Sequence, residues 1–316
     1  MTITDIQAAA DRIRRTAWRT PLVPSAWLSD LTRASVWLKL ETVQATGSYK
    51  IRGATNALAR LKAARPDVTI VTTASAGNHG QAVALAASTL GIRARVHLPA
   101  TAPDAKRRAI ARLGAEIVDA PTYDAAEARA HEEAERDGAI YLSPYNDADV
   151  IAGAGTVALE MLDERPEIDT LIVPLGGGGL LSGTAIVARA RIRNALMVGT
   201  EAAASPVFTA ALAAGRPVTV DVHDTLADGL AGNMDADSQT FGIVRDLVDR
   251  VMLVEESDIA QAMRDLILKE RLVAEGASAT AVAAICAGDL DLQGRNVGVI
   301  LSGRNVDAHV IARVLS

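Results

Sequence analysis

Short runs of β-branched and other apolar residues alternate with longer helical patterns along most of the chain. In residues 36–40 the aliphatic Val36, Leu38 and Leu40 alternate with Trp37 and Lys39, which is typical of a strand. A regular alternation of strands and helices follows. It begins with a strand at 68–72, continues with a helix at 79–90 that Gly91 ends, and reaches a strand at 93–98. Helices of ten or more residues between short strands predict an α/β fold with parallel sheets and right-handed crossovers.

Other stretches of the chain predict two further helices and leave one internal segment without an assigned element. A first helix is expected at 4–13, with Thr4 and Gln7 forming its capping box. Residues 257–271 predict a single amphipathic helix, with apolar side chains along one face. Residues 202–234 follow neither period, and the sequence assigns them no element.

Composition and charge narrow the class of protein. The chain has 316 residues, 49% of them hydrophobic, which is enough for a large core and two domains. Its net charge of -6 argues against nucleic acid or an anionic membrane as a partner. The single cysteine, Cys286, lies in an apolar run and is expected to be buried. No disulfide framework, signal-like segment or membrane-length apolar run is present, so a cytoplasmic location is expected.

Residues 46–54 read Thr-Gly-Ser-Tyr-Lys-Ile-Arg-Gly-Ala and place Lys50 between small polar residues and a helical pattern. Burial and cationic neighbours favour the neutral amine of a lysine, which is the form that enters Schiff-base chemistry. Gly47 and Ser48 could direct backbone N–H groups and a hydroxyl towards an anion, as at a helix start. Taken alone, the motif is equally compatible with an ordinary loop lysine ahead of a helix.

Four consecutive glycines at 176–179 follow a strand predicted at 171–173 and precede a helix. Such a run lets the backbone approach an anion closely, and the helix N-terminus adds a favourable dipole, so it predicts a phosphate site. It is not a dinucleotide fingerprint, because position 181 lacks the glycine which that spacing requires. The alternative is a flexible surface loop, which the apolar sequence on both sides disfavours.

Two further turns carry polar side chains at the ends of predicted strands. Ser75, Asn78 and His79 lie in a small-residue turn whose N–H groups could hold a carboxylate. Ser302 and Asn305 follow the last strand, at the sheet edge where doubly wound folds bind ligands. Each turn could equally be a simple helix cap.

In order and content, these motifs and the lysine resemble the fold-type II pyridoxal-phosphate enzymes, specifically the serine/threonine dehydratase and serine racemase branch. The resemblance extends from the Arg-Thr-Pro-Leu at 19–22 to the Ser-Gly-Arg-Asn-Val-Asp at 302–307. It implies two lobes, each a mostly parallel sheet flanked by helices. A large cofactor-binding domain is expected at 1–60 and 148–316, and a small mobile domain at 61–147. The resemblance also implies a homodimer.

The resemblance assigns roles around pyridoxal 5'-phosphate. Lys50 corresponds to the catalytic lysine that carries the cofactor, and Tyr49 to the ring beside the cofactor's face. Asn78 corresponds to the residue that contacts the pyridoxal hydroxyl, and Ser302 to the one at the pyridine nitrogen. The cofactor phosphate is expected on Gly176, Gly177, Gly178 and Gly179. The substrate carboxylate is expected on the turn comprising Ser75, Ala76, Gly77, Asn78 and His79.

Three departures from the family pattern affect the expected chemistry. Tyr49 stands where the family usually has phenylalanine. Ala76 replaces the serine with which racemases handle protons on the face opposite the lysine, so elimination is expected rather than racemisation. Of the family's metal site, Glu201 remains but Val207 replaces the second acid, so no tight Mg²⁺ or Mn²⁺ site is expected.

The sequence therefore predicts a dehydratase, or ammonia-lyase, that converts a small β-hydroxy amino acid such as L-threonine or L-serine to a 2-oxo acid and ammonia. The chain ends one helix after the Ser302 motif, which favours a catabolic role. Other substrates stay open, among them a 3-hydroxyaspartate, a phenylserine or a hydroxyectoine-derived amino acid, as does an amino-acid racemase. Outside the family, the alternatives are a non-catalytic cofactor-binding protein and a nicotinamide oxidoreductase, the latter disfavoured by the glycine spacing.

Overall fold

A computed structural model describes residues 1–316 apart from the side chain of Asp137. Its ten strands are β1 (Leu22–Pro24), β2 (Ser35–Leu40), β3 (Ile70–Ala74), β4 (Arg93–Pro99), β5 (Glu116–Ala120), β6 (Ile140–Tyr141), β7 (Thr170–Pro174), β8 (Leu196–Ala202), β9 (Arg250–Val254) and β10 (Asn296–Leu301). Its α-helices are α1 (Ile3–Ile13), α2 (Ala26–Thr32), α3 (Lys50–Ala64), α4 (Asn78–Thr89), α5 (Asp104–Arg112), α6 (Tyr123–Asp137), α7 (Ala148–Glu164), α8 (Gly179–Arg191), α9 (Val207–Ala214), α10 (Gln239–Leu247), α11 (Glu256–Asp265), α12 (Gly276–Cys286) and α13 (Ala308–Leu315). A short 3₁₀ turn (Glu41–Val43) follows β2.

The strands form two sheets. The larger has six strands in the order β1-β2-β10-β7-β8-β9, and the smaller has four in the order β5-β4-β3-β6. All neighbouring strands are parallel except β1, which runs antiparallel to β2. The prediction of an α/β fold with mostly parallel sheets is confirmed. The four strands of the smaller sheet all lie between residues 70 and 141.

Several local expectations need correction. The first helix begins at Ile3, because the Asp5 carboxylate accepts hydrogen bonds from the Thr2 amide at 2.8 Å and the Thr2 hydroxyl at 3.1 Å; the predicted cap at Thr4 is wrong. The helix predicted at 257–271 continues from α11 into a π-helical turn (Leu266–Glu270), and the unassigned 202–234 contains α9. Cys286, expected to be buried, is exposed at the end of α12.

Glycine contacts bring α7 close to two other helices. A Cβ atom on Gly153 of α7 would lie 2.7 Å from the Cα of Gly53 on α3. On the opposite side, a Cβ on Gly183 of α8 would lie 2.7 Å from the Cα of Gly155 on α7. These contacts leave no room for side chains, so α7 sets the spacing between α3, which begins at Lys50, and α8, which begins in the glycine run.

A buried ion network holds α3 against β2 and α7. Arg52 is 1% exposed, and its guanidinium donates two hydrogen bonds of 2.8 Å to Glu41. It also donates to Glu160 of α7 at 2.7 and 2.9 Å. Lys39 of β2 completes the network, donating to Glu160 at 2.6 Å and to the Thr20 carbonyl at 2.7 Å. Buried charges are tolerated when paired in this way.

Candidate active site

Lys50 is the first residue of α3, and its amine points towards the chain segment between β6 and α7. The Nζ atom donates a hydrogen bond of 2.8 Å to the Pro144 carbonyl and lies 5.3 Å from the centre of the Tyr49 ring. The Tyr49 amide donates to the Ser302 carbonyl at 3.0 Å. The lysine is therefore fastened to the carboxyl end of β10, and the structure brings together Tyr49, Lys50 and Ser302.

The segment between β6 and α7 contacts the N-termini of three helices. Its Leu142 carbonyl lies 3.1 Å from Nε2 of His79 on α4, and its Pro144 carbonyl accepts from Lys50 of α3. The Tyr145 ring packs against the glycine run at the start of α8: a Cβ on Gly177 would lie 2.9 Å from the tyrosine Cδ2. Positive dipole ends of helices thus converge around one cleft, which favours anionic groups there.

The glycine run has a shape that other residues would disturb. Gly178 has a φ of +86°, in the left-handed region, and a Cβ there would lie 2.6 Å from the Phe208 ring. A Cβ on Gly176 would lie 2.8 Å from the Cα of Leu230. The Thr240 hydroxyl donates to the Gly177 carbonyl at 2.8 Å, which fixes the orientation of that peptide group.

Within the described chain, no side chain caps the start of α8, so its first N–H groups stay available to a ligand. The same holds for α4, which begins at Asn78 without a side-chain cap. In the preceding turn the Gly77 amide donates to the Ser75 hydroxyl at 3.2 Å, and Ala76 lies partly exposed beside them. Two uncapped helix starts therefore face the cleft that holds the lysine, and each can bind one anionic group.

His79 lies behind this turn, and its imidazole faces the interior. The side chain is 3% exposed, and among the described residues its Nδ1 atom has no hydrogen-bond partner. Burial, reinforced by the charge of Lys50, lowers the pKa of His79 to about 3, so the ring is neutral. His79 can thus serve a substrate through its backbone, while its side chain supports the Leu142 carbonyl.

Sequence reasoning missed a buried carboxylate that joins the motif turns. Glu275, 5% exposed, accepts hydrogen bonds from Asn78 Nδ2 at 2.7 Å and from the Asn305 amide nitrogen at 3.0 Å. The Asn305 side chain donates to Asn78 Oδ1 at 2.6 Å and to the Thr46 carbonyl at 2.8 Å. A single acid among small apolar residues at 273–277 was the available signal. Tyr145 and Thr240 were also missed, because neither belongs to a motif.

Glu201 has a structural role near the carboxyl end of β8. Its carboxylate accepts from the Phe208 amide at 2.6 Å, and from the amide and hydroxyl of Thr209, both at 2.8 Å. These bonds cap α9, and burial raises the pKa of the carboxyl above its ordinary value. Among the described residues, no group of three or more His, Cys, Asp or Glu is arranged to hold a metal ion. The absence of a tight metal site stays a prediction.

The comparisons with known proteins agree with this geometry. The family model described as "Pyridoxal-phosphate dependent enzyme" matches residues 13–303. The chain belongs to this family. It is 38% identical to the L-threonine ammonia-lyase of Thermotoga maritima over 317 aligned positions, covering 100% of this chain and 78% of that protein.

Two solved structures of the family have nearly the same fold. Maize serine racemase superposes with a TM-score of 0.93 at 33% identity, covering 99% of this chain and 96% of that one. Threonine deaminase isoform 2 of Solanum lycopersicum gives 0.92 at 33% identity, covering 99% and 91%. The resemblance to the fold-type II serine/threonine dehydratase branch is thus confirmed, and with it the pyridoxal 5'-phosphate cofactor.

The residues of this pyridoxal-phosphate enzyme fit the cofactor. Its aldehyde requires an amine, and Lys50 supplies one in the cleft. Its phosphate requires uncapped N–H groups at close range, and the glycine turn with a positive φ at Gly178 supplies them.

Among the described helices, none has the length and apolarity that crossing a bilayer requires.

Proposed function

We propose that this enzyme is a cytoplasmic dehydratase that converts a small β-hydroxy amino acid, such as L-threonine or L-serine, to a 2-oxo acid and ammonia. The observation that carries the proposal is the placement of the Lys50 amine between two uncapped helix starts. An amine between two anion sites suits a cofactor phosphate on one side and a substrate carboxylate on the other. Similarity over the whole of this chain to an L-threonine ammonia-lyase, of which it covers 78%, supports the same reaction.

The residues that would hold the cofactor are distributed over the carboxyl ends of both sheets. Lys50 would carry it covalently, Tyr49 would lie beside its ring, and Asn78 would contact its hydroxyl. The Ser302 hydroxyl would contact the pyridine nitrogen. An aspartate at this place would force a proton onto that nitrogen, whereas a hydroxyl does not. The phosphate would lie on Gly176, Gly177, Gly178 and Gly179. When bound, pyridoxal phosphate supplies a conjugated electron sink for the charge that develops on the substrate's Cα.

The chain's own groups then bind the substrate and move protons. The uncapped start of α4, from Ser75 to His79, would hold the substrate carboxylate through its N–H groups. That contact fixes which bond at Cα faces the lysine. Once the substrate's amino group has displaced it, the Lys50 amine takes the α-proton from that face, as a general base positioned by the Pro144 carbonyl. The β-hydroxyl gains a proton and leaves as water. The released unsaturated amine then takes up water and gives the 2-oxo acid and ammonia.

Racemisation is the second candidate, because maize serine racemase is among the similar structures. A racemase needs proton transfer on both faces of Cα. Ala76 lies in the turn where the family's racemases carry a serine for the second face, and its methyl group can neither take nor give a proton. The side chain at this position therefore favours elimination over racemisation.

The assembly and motion of the enzyme are part of the proposal. We propose a homodimer, and a small lobe formed by residues 61–147 that moves relative to a large lobe formed by 1–60 and 148–316. Lys106 of α5 donates to Asp228, in the loop before α10, at 2.7 Å, and this ion pair would link the two proposed lobes. Pairs as exposed as this one contribute about 1 kcal/mol or less, so they permit motion.

The decisive experiment measures keto acid and ammonia release across a panel of L- and D-hydroxy amino acids, alongside the visible absorption of the purified protein. We expect turnover of threonine or serine and an absorption band from lysine-bound cofactor, and we expect Lys50→Ala to lose both. Arg60→Ala, at an exposed position further along α3, serves as the control and should retain both. Inversion of the substrate without keto acid would establish the racemase instead.

A further inference from the structure

Glu275 has no role in the reaction described above, yet its carboxylate contacts one of the residues proposed to hold the cofactor. Its two oxygens each accept one hydrogen bond, Oε1 from Asn78 Nδ2 and Oε2 from the Asn305 amide. The chain closes around it, because the Glu275 amide donates to the Gly303 carbonyl at 3.1 Å and a Cβ on Gly303 would lie 2.6 Å from Oε1. The carboxylate is thus enclosed and held in one orientation.

The orientation of the Asn78 amide follows from these contacts. Its Nδ2 group must face the Glu275 carboxylate, which only accepts, and its Oδ1 must face the Asn305 amide group, which donates at 2.6 Å. A flipped Asn78 would oppose oxygen to oxygen and nitrogen to nitrogen. Since an amide nitrogen carries two hydrogens, one N–H of Asn78 remains available for another acceptor.

We infer that Glu275 is a positioning residue: its charged carboxylate orients the Asn78 amide so that the remaining N–H can donate to the ring hydroxyl of the cofactor. This inference rests on the proposed role of Asn78. It assigns Glu275 no contact with substrate or cofactor. Its effect should therefore appear in the cofactor's spectrum and in kcat, while substrate affinity changes little.

Loss of the charge weakens one of the two acceptors. A glutamine presents an NH₂ donor in place of one oxygen, so either Asn78 or Asn305 would face another donor. A protonated carboxyl keeps on that oxygen a hydroxyl, which is a weaker acceptor than the carboxylate. Burial, together with the negative charge of Asp228, raises the pKa of Glu275 to about 7. Because the charged form is present above that pH and is lost below it, the orientation of Asn78 should weaken as pH falls through 7.

Glu275 shares a cleft of about 330 Å³ with six other charged groups. They are Lys106, Asp224, Asp228, Glu256, Asp307 and Arg313. Asp228 raises the pKa of Glu275, and Lys106 opposes that effect. Lys106 and Asp228 form the 2.7 Å ion pair described above, so their opposite charges act on Glu275 at the same time.

The test compares Glu275→Gln with Glu256→Gln in the cofactor-loaded enzyme. Glu256 lines the same cleft but accepts from the Leu226 amide at 2.8 Å and has no contact with Asn78. For Glu275→Gln we expect kcat to fall about tenfold, as for loss of a hydrogen bond to a charged group, with KM within about twofold. The wild-type visible band should change with a midpoint near pH 7, and this change should disappear in Glu275→Gln while Glu256→Gln keeps it.

A second variant covers the case in which Glu275→Gln does not fold. Asp228→Asn leaves every hydrogen bond of Glu275 in place and removes the neighbouring negative charge, so the midpoint should move to lower pH. An unmoved midpoint in Asp228→Asn, or a Glu275→Gln enzyme with wild-type kcat and spectrum, overturns the inference. If the wild type itself has neither a visible band nor lyase activity, the proposed function fails instead, and the two failures are distinguishable.

Discussion

At the scale of single residues, desolvation moves two titratable groups of the site towards their neutral forms. It lowers the pKa of His79 to about 3 and raises the pKa of Glu275 to about 7. The consequences differ, because His79 is neutral at every physiological pH whereas Glu275 changes charge within that range. His79 is thus a fixed structural contact, and Glu275 is a group through which pH can act on the site.

The neutrality of His79 can be observed directly. In a ¹⁵N-histidine NMR titration from pH 8 to 5, we expect the His79 ring signals to stay constant, whereas an unperturbed histidine titrates near 6.5. Below about pH 6.5 the unfolded chain binds a proton at this residue and the folded chain does not. The free energy of unfolding should therefore decrease as pH falls below that value. A His79 transition between pH 6 and 7 would contradict the assignment.

At the scale of elements, the site depends on helices that approach one another through glycine. Gly53 on α3, Gly153 and Gly155 on α7, and Gly183 on α8 occupy the crossing points, where a Cβ would meet backbone atoms within 3 Å. Lys50 and the glycine run are the first residues of the two outer helices. Their separation therefore depends on glycines one turn further along α3 and α8 and on the two glycines of α7 between them.

Gly153→Ala should force α3 and α7 apart. We expect this overpacking to lower the free energy of unfolding by about 1–3 kcal/mol, and to weaken cofactor binding because Lys50 and the glycine run no longer match the same ligand. Gly242→Ala on α10 is the control, since no atom lies within 4 Å of a Cβ there. That substitution should leave stability unchanged or increase it by about 0.4–1 kcal/mol. Chemical denaturation and cofactor titration measure both effects, and equal stabilities for the two variants would refute the spacing role of Gly153.

At the scale of the whole molecule, the described surface exposes large apolar side chains on neighbouring segments. Leu31 at the end of α2, Leu268 in the π-helical turn and Val273 just beyond it are 53%, 45% and 40% exposed. The Lys269 ammonium lies 4.3 Å from the centre of the Trp27 ring, which places the turn beside α2. Grouped apolar side chains of this kind are typical of protein interfaces, in line with the proposed homodimer.

Light scattering should give a solution mass of twice the chain's 33.0 kDa. Leu268→Glu places a charge within the apolar group and should shift the protein towards monomer at micromolar concentration. Leu253→Glu is the matched control, because Leu253 is equally exposed at 45% but lies on β9, at the edge of the large sheet. A monomeric wild type would exclude the dimer, and dissociation by Leu253→Glu alone would place the interface elsewhere.

The sequence predicted the fold class well, because it rests on local signals, and the roles of the motif residues stay predictions. Strand and helix periods are visible in windows of a few residues, and glycine runs after strands mark ligand-binding turns. Boundaries were less accurate: Thr2 caps α1 where Thr4 was expected, and the π-helical turn after Asp265 was not foreseen. These details depend on which of several similar side chains finds a hydrogen-bond partner. The spacing of apolar residues does not contain that information.

The sequence by itself determined the order of strands and helices, the lysine and the glycine run, since each is encoded by adjacent residues. Only the tertiary structure decided that Glu275 reaches Asn78, 197 positions away. It alone also placed Tyr145 against Gly177 and set α7 between α3 and α8. Such contacts depend on how parallel strands and their crossovers bring distant segments to one sheet edge, where burial changes the charge of groups that look ordinary in the sequence.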